Sequence, residues 1–230
     1  MLLPPTLTQL ADWLRAELDE PEPLRRDGPP EVRRLALALE PADLPPAVEA
    51  DALFVHRARR VGDRWPGRGV LAAHDGFDMR LTTGPNRRLA RALGWTDVEE
   101  VTWEGRLVGL AATPPQDDWQ ALRAALQAEL GGEDTSWPPE PAAGPLRLAL
   151  MNAMNPALVG AAAQQGVRVY LTGELRPSAV GAARAHGLGV VALGHRRTEL
   201  WGLRQLAREL RAAFPGLQTG VFPDPGFSSD

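Results

Sequence analysis

The chain of 230 residues has no cysteine, which removes disulfides, thiolate metal ligands and a cysteine nucleophile in one step. It has no lysine either. All 25 basic residues are arginine, so a Schiff-base lysine and the lysine of a phosphate-binding P-loop are excluded. Positive charge is not in excess: the formal net charge is −4 and the pI about 5.6, so a global nucleic-acid footprint is not expected. No apolar run is long enough to span a bilayer. The amino terminus, Met1-Leu2-Leu3-Pro4-Pro5, lacks both a basic region and a sustained apolar one, and a cytoplasmic location with no membrane contact is expected. Any metal must therefore be held by histidine and carboxylate.

What is present is an alternation of apolar runs and helical periodicities. Leu7, Leu10, Leu14 and Leu18 share a helical face behind Thr6, a candidate N-cap. A Pro-rich, charged segment over 19–31 reads as a loop, followed by strand-like Val32–Leu39 and, after a short helical turn, Leu53-Phe54-Val55. Residues 85–93 read as a helix with Pro85 in its first turn. Val98–Trp103 and Arg106–Ala111 read as a strand pair joined by Glu104-Gly105, and a helix follows over 116–130. Residues 131–145 look like a polar loop. Strand 146–151, helix 156–165, strand 167–172, helix 177–186 and strand 188–193 then alternate as parallel βαβ units do. A first lobe over 1–102 and a second over 103–230 are expected, with a frayed or surface-bound tail after Phe222 holding Pro223, Pro225 and Gly226.

The polar residues that matter lie where apolar runs stop. His56 ends Leu53-Phe54-Val55, and His74 ends Val70-Leu71-Ala72-Ala73 with Asp78 shortly beyond. Thr172-Gly173-Glu174 ends another run. His195 ends Val190-Val191-Ala192-Leu193 and is followed by Glu199 and a helix with Leu200, Leu203, Leu206 and Leu210. Carboxyl ends of parallel strands are where open α/β sheets place ligands. Imidazoles and carboxylates together read as a metal site, and zinc, iron, manganese and nickel all suit that donor set. His186, near a helix end before Gly187, reads as a favourable C-terminal cation instead.

These segments resemble the Nif-three-like family, whose bacterial members carry the name GTP cyclohydrolase 1 type 2. The family pattern is an apolar strand ending in two histidines, then His-Thr-Asn-Leu-Asp, a Thr-Gly-acid turn, and Gly-His with Glu four residues on. Here these are Phe54-Val55-His56-Arg57, His74-Asp75-Gly76-Phe77-Asp78, Thr172-Gly173-Glu174 and Gly194-His195-Arg196-Arg197-Thr198-Glu199. The early Trp-Asp-Asn-x-Gly segment of the family is reduced to something like Arg26-Asp27-Gly28. The resemblance implies two interlocked α/β lobes with mixed sheets flanked by helices, a dinuclear metal centre in the cleft between them, and a ring-shaped homohexamer. It also implies that His56 and His195 share one ion, that Asp78 helps hold the other, and that Glu199 bridges. Arg57 stands where the family has a histidine, and a guanidinium has no lone pair to offer a metal. One well-occupied divalent site and a weak or absent second are therefore expected, with Arg57 left to pair with Asp78, Glu199 or a substrate phosphate; the alternative is Arg57 in solvent and His74 as the replacement ligand, which restores two ions.

The leading functional expectation is a metal-dependent hydrolase in which an activated water attacks a nucleotide-like substrate. Glu174, His74 and Asp75 are candidate general bases, and the sequence does not choose among them. The alternative is a noncatalytic metal-binding ring that acts as a scaffold or regulator. A third reading takes Arg57, Arg59, Arg60, Arg64 and Arg68, with Trp65 for stacking, as a phosphate or single-stranded nucleic-acid surface; a solvated basic loop is favoured over duplex binding.

Overall fold

Helix α1 (Leu7–Leu18) begins where the Thr6 hydroxyl accepts from the Gln9 N–H and the Gln9 side chain accepts from the Thr6 N–H. This reciprocal pair satisfies two end groups that the helix cannot bond itself. The helix ends at Asp19 in the left-handed region, with Leu7, Leu10, Leu14 and Leu18 buried. The structure, a computed structural model, describes residues 3–142 and 144–223. Met1, Leu2 and the expected tail with Pro225 and Gly226 lie outside the described residues.

The chain forms two units. The first comprises Met1–Phe77 and Gly202–Asp230. Its sheet contains β1 (Leu24–Arg26), β2 (Arg34–Ala38), β3 (Ala52–Val55), β4 (Gly69–Leu71) and β11 (Gln218–Phe222) in the order β1-β4-β3-β2-β11. Strand β1 is antiparallel to β4 and the other neighbours are parallel. Alternation along the strands sends Ala36, Ala38, Leu53, Val55 and Val70 to one face, where they meet Leu44, Val48, Val61 and Trp65. The opposite face carries buried Leu35, Leu37, Phe54 and Leu71. Each such side chain contributes about 1.5–3 kcal/mol by leaving water.

Three expectations in this unit are corrected. The Pro-rich 19–31 segment contains β1, a three-residue edge strand whose apolar content is too small to show in a periodicity. Strand β11, absent from the sequence reading, pairs in register with β2 from Gln218↔Arg34 to Phe222↔Ala38. Trp65 is also not a stacking platform. It is buried, its indole N–H donates to the Pro45 carbonyl at 3.0 Å, and the Arg64 guanidinium lies over its ring at 4.3 Å.

The second unit, Asp78–Trp201, is built on a sheet of β5 (Thr96–Trp103), β6 (Arg106–Thr113), β7 (Thr135–Trp137), β8 (Leu148–Met151), β9 (Val169–Thr172) and β10 (Gly189–Ala192), ordered β5-β6-β8-β9-β10-β7. Helices α4 (Trp119–Leu130), α5 (Pro156–Gln164) and α6 (Pro177–Ala185) flank it. Leu122, Leu126 and Leu130 of α4 join one core layer, and Leu158, Val159, Ala162, Ala179 and Ala183 of α5 and α6 join the other. Strands β8, β9 and β10 are parallel and linked by α5 and α6, as the alternation in the sequence implied. The β5–β6 turn places Glu104 at φ 49° and Gly105 at φ 73°, the pair of positive values that a tight hairpin requires.

The expected division near residue 103 falls inside this hairpin, whose ladder keeps 96–113 in one sheet. The observed boundaries instead cut helices α2 (Asp75–Leu81) and α7 (His195–Ala213). Helix α3 (Arg87–Ala92) begins two residues after Pro85, because buried Asn86 is its cap and accepts from the N–H groups of Arg88 and Leu89. The polar loop expected over 131–145 contains β7, which pairs antiparallel with β10 at the sheet edge. No described helix is long and apolar enough to cross a membrane.

One arginine organises the basic loop of the first unit. Arg26 of β1 donates to the carbonyls of Arg68 (3.1 Å), Gly62, Arg64 and Trp65 (3.0 Å each). Charge-assisted hydrogen bonds contribute about 1.5–3 kcal/mol each, and those of a single side chain do not add in full. Arg26→Met is expected to lower stability in urea by about 2–4 kcal/mol and to open residues 58–68 to proteolysis. An unchanged midpoint and cleavage pattern would refute the clamp.

Candidate metal centre

His56 follows β3 and His74 follows β4, so two adjacent parallel strands each deliver an imidazole at their carboxyl ends. Among the described residues, the side chains gathered closely enough to hold an ion are His56, His74 and Asp78, whose ligand atoms all lie within 4.8 Å of one another. Asp78 sits on α2, one turn beyond Asp75.

The protonation pattern of both rings follows from their partners. His56 Nδ1 lies 2.9 Å from the Ala73 carbonyl oxygen, which can only accept, so the proton is on Nδ1 and Nε2 carries the lone pair. His74 Nδ1 lies 2.7 Å from Asp75 Oδ1, and the same reasoning leaves its Nε2 as the donor to a metal. The rings stack at 4.8 Å between centroids with 2° between planes. His56 is buried beside Phe77, whose ring centroid is 4.6 Å away. Two imidazoles and a carboxylate, each ring held through its far nitrogen, match the chemistry of a divalent metal site with its orienting partners.

The turn that carries these residues is anchored by the amino-terminal segment. Ala72 N–H donates to the Pro23 carbonyl at 2.7 Å, and His74 N–H donates to Glu20 Oε2 at 3.2 Å. Gly76 packs against the end of α1 so closely that a Cβ there would sit 1.9 Å from the Leu18 carbonyl oxygen. Only glycine fits that approach. Glu20 is the residue that sequence reasoning missed: it is 54 positions from His74, and no spacing signal connects them.

In the second unit, the ends of β9 and β10 lie side by side, with Leu193 N–H on the Thr172 carbonyl at 2.8 Å and Gly194 N–H on the Gly173 carbonyl at 2.9 Å. A Cβ on Gly173 would lie 3.6 Å from His195 Cα and 3.4 Å from Thr83 Oγ1. The Thr-Gly-Glu turn therefore abuts the start of α7. His195 and Glu199, one helical turn apart, bring Nε2 and Oε1 to 3.0 Å, with the Glu199 carboxylate 1% exposed and the imidazole 58% exposed. Glu174 is exposed and pairs with Arg176 at 2.9 Å. His186 caps the end of α6.

A cavity of about 640 Å³ opens in the first unit beside the two imidazoles. Arg25, Arg57 and Arg59 line it together with His56, His74, Glu20 and Asp75. Arg57 meets Glu40, Nη1 to Oε1 at 3.5 Å. Arg25 meets Glu20 at 3.1 Å.

The profile of the Duf34/NIF3 family (NGG1p interacting factor 3) matches residues 68–223, about two thirds of the sequence. The chain belongs to the Duf34/NIF3 family. A relative from Deinococcus radiodurans, named GTP cyclohydrolase 1 type 2 homolog, is 27% identical over 146 residues, which cover 63% of this chain and 56% of that protein. The match thus spans little more than half of the relative. Among solved structures, ybgI, a protein of unknown function, gives a TM-score of 0.72 at 21% identity, covering 96% of this chain and 100% of its own. Reduced HcgD from Methanocaldococcus jannaschii gives 0.72 at 15% identity, covering 97% and 100%. A Bacillus cereus protein related to NIF3 gives 0.66 at 13%, covering 97% and 99%. At these identities the likeness establishes a shared Duf34/NIF3 fold of two mixed sheets flanked by helices.

Proposed function

We propose that this Duf34/NIF3 chain is a metal-dependent hydrolase acting on a phosphate-bearing, nucleotide-like substrate. The observation that supports this reading most directly is the His56, His74 and Asp78 group beside a cavity lined by three guanidiniums. When bound, a divalent ion such as zinc, iron, manganese or nickel supplies Lewis acidity and makes water a nucleophile near neutral pH. The residues divide the remaining work. His56 and His74 present Nε2, and Asp78 adds negative charge. The Ala73 carbonyl and the Asp75 carboxylate fix the two tautomers. Arg57 and Arg59 hold substrate phosphate, a role for which a planar multi-donor cation is suited.

This assignment moves His74 from candidate base to ligand and makes Asp75 its orienting partner. Glu174 remains the base candidate of the second unit. In the proposal His195 and Glu199 contribute to the same centre as His56, as the family resemblance implies, and the chain assembles as a homohexamer. The substrate idea is carried by the cavity and by the name of the Deinococcus radiodurans relative.

Metal-reconstituted protein should hydrolyse at least one member of a nucleotide panel, and His74→Ala or His195→Ala should each lower kcat/KM by a factor of about 100 or more. Metal binding without turnover on any substrate would instead favour a noncatalytic ring that acts as scaffold or regulator. Because Arg57 occupies a ligand position of the family, native protein should hold one ion tightly per chain, and Arg57→His should gain a second. Two tightly held ions in the native protein would overturn that stoichiometry. Light scattering should return six times the 24.8 kDa chain mass, and a single-chain mass at all concentrations would end the ring proposal.

A further inference from the structure

The end of α1 and strand β1 make a cradle for the turn that bears His74, and one carboxylate sits at its centre. Glu20 is 7% exposed, an unusual degree of burial for a carboxylate. Its Oε2 accepts from the His74 N–H at 3.2 Å and its Oε1 accepts from Arg25 Nη2 at 3.1 Å. The surrounding backbone is held on both sides of that contact. Ala72 N–H is bonded to the Pro23 carbonyl, and Gly76 is pressed against the Leu18 carbonyl. The His74 amide itself is held by the Glu20 side chain, so the direction in which residue 74 leaves the end of β4 depends on a group from another part of the chain.

We propose that Glu20 is a positioning residue of the metal centre, which holds the main chain of His74 so that its imidazole stays stacked on His56 and presents Nε2 to the ion. The proposal rests on the metal reading given above and extends it to a residue outside the ligand set. Its chemical logic is that of outer carboxylates in metal sites: a buried anion with both oxygens engaged cannot relax when the ligand loop moves, so the ligand geometry is preset before the ion arrives. Arg25 is the counter-charge that allows the carboxylate to be buried, and its guanidinium is also part of the cavity wall. A single side chain thereby sets the spacing between a metal ligand and a cation of the cavity.

Substitution separates this role from simple loss of fold. Glu20→Gln keeps an acceptor for the His74 amide. Its NH2 group would then face Arg25, which is 41% exposed and free to turn into solvent, whereas the His74 backbone is not. Glu20→Ala removes the acceptor entirely. Cobalt(II) titration of the full-length proteins should show an affinity about 10-fold or more weaker in Glu20→Ala, with an altered visible ligand-field spectrum, and near wild-type behaviour in Glu20→Gln. Amide exchange of the metal-free proteins should show His74 protection lost in Glu20→Ala and retained in Glu20→Gln. Wild-type cobalt affinity and spectrum in a folded Glu20→Ala protein would overturn the positioning role, as would undiminished protection of the His74 amide. If wild-type protein binds no cobalt, the metal reading fails, and Glu20 fails with it as a residue of a metal centre. The exchange data then show separately whether it holds the His74 backbone.

Discussion

The hydrogen bond from His56 Nδ1 to the Ala73 carbonyl is the contact on which the candidate centre depends. It crosses from the end of β3 to the end of β4, so it ties two adjacent strand ends together and selects the tautomer of the buried ring at once. A buried imidazole with its proton fixed on Nδ1 has its lone pair fixed on Nε2. A flipped ring would lose the Ala73 carbonyl, and the stack with His74 and Phe77 holds the plane of the ring. Three restraints therefore act on one side chain, and each is supplied by a neighbour that the parallel register of β3 and β4 brings alongside.

That register has its own causes. Buried, alternating Leu53, Phe54 and Val55 specify which face of β3 meets which core layer, and a one-residue slip would turn Phe54 toward the layer that holds Val61 and Trp65. The chain beyond β4 turns at once into α2, and the glycine at position 76 lets that helix lie against the end of α1. Sheet register, a helix end and one missing Cβ together decide where His74 and Asp78 go. The ligands are the last link of that chain of constraints.

Much of this was legible in residue order where the signal is local. Thr6 and the leucine face behind it announce α1, the Glu104-Gly105 pair announces the β5–β6 hairpin, and the βαβ rhythm of 146–193 is a run of short apolar segments between helical ones. The strand-end positions of His56, His74 and His195 were also readable, because each interrupts an apolar run. Elements held by partners distant in sequence were not. Strand β1 owes its conformation to pairing with β4, β7 to β10 and β11 to β2, and none carries enough apolar residues to stand out alone. Helix α2 was hidden because it is short and contains a glycine. Trp65 looked like a surface aromatic among arginines, whereas the loop folds back and inserts it beside Val61. Glu20 was invisible for the same reason as β1.

The absence of lysine gives the molecule a particular way of using positive charge. Arg26 holds the loop over 62–68 through four carbonyls, Arg68 donates twice to the Val48 carbonyl, and Arg197 joins the Leu193 carbonyl to Asp134. A guanidinium can do this because its five donors lie in one rigid plane, so a single side chain satisfies several carbonyls that a loop cannot pair internally. An ammonium, with one compact head, would reach fewer of them at once. The same group matters in the cavity. The guanidiniums of Arg25, Arg57 and Arg59 offer no lone pair, so they can border a candidate metal centre without competing for an ion. In the proposed function an entering anion meets guanidiniums interspersed with the carboxylates of Asp19, Glu20 and Asp75. In that proposal, selectivity rests on the arrangement of these charges and on the residues that fix the loop bearing His74.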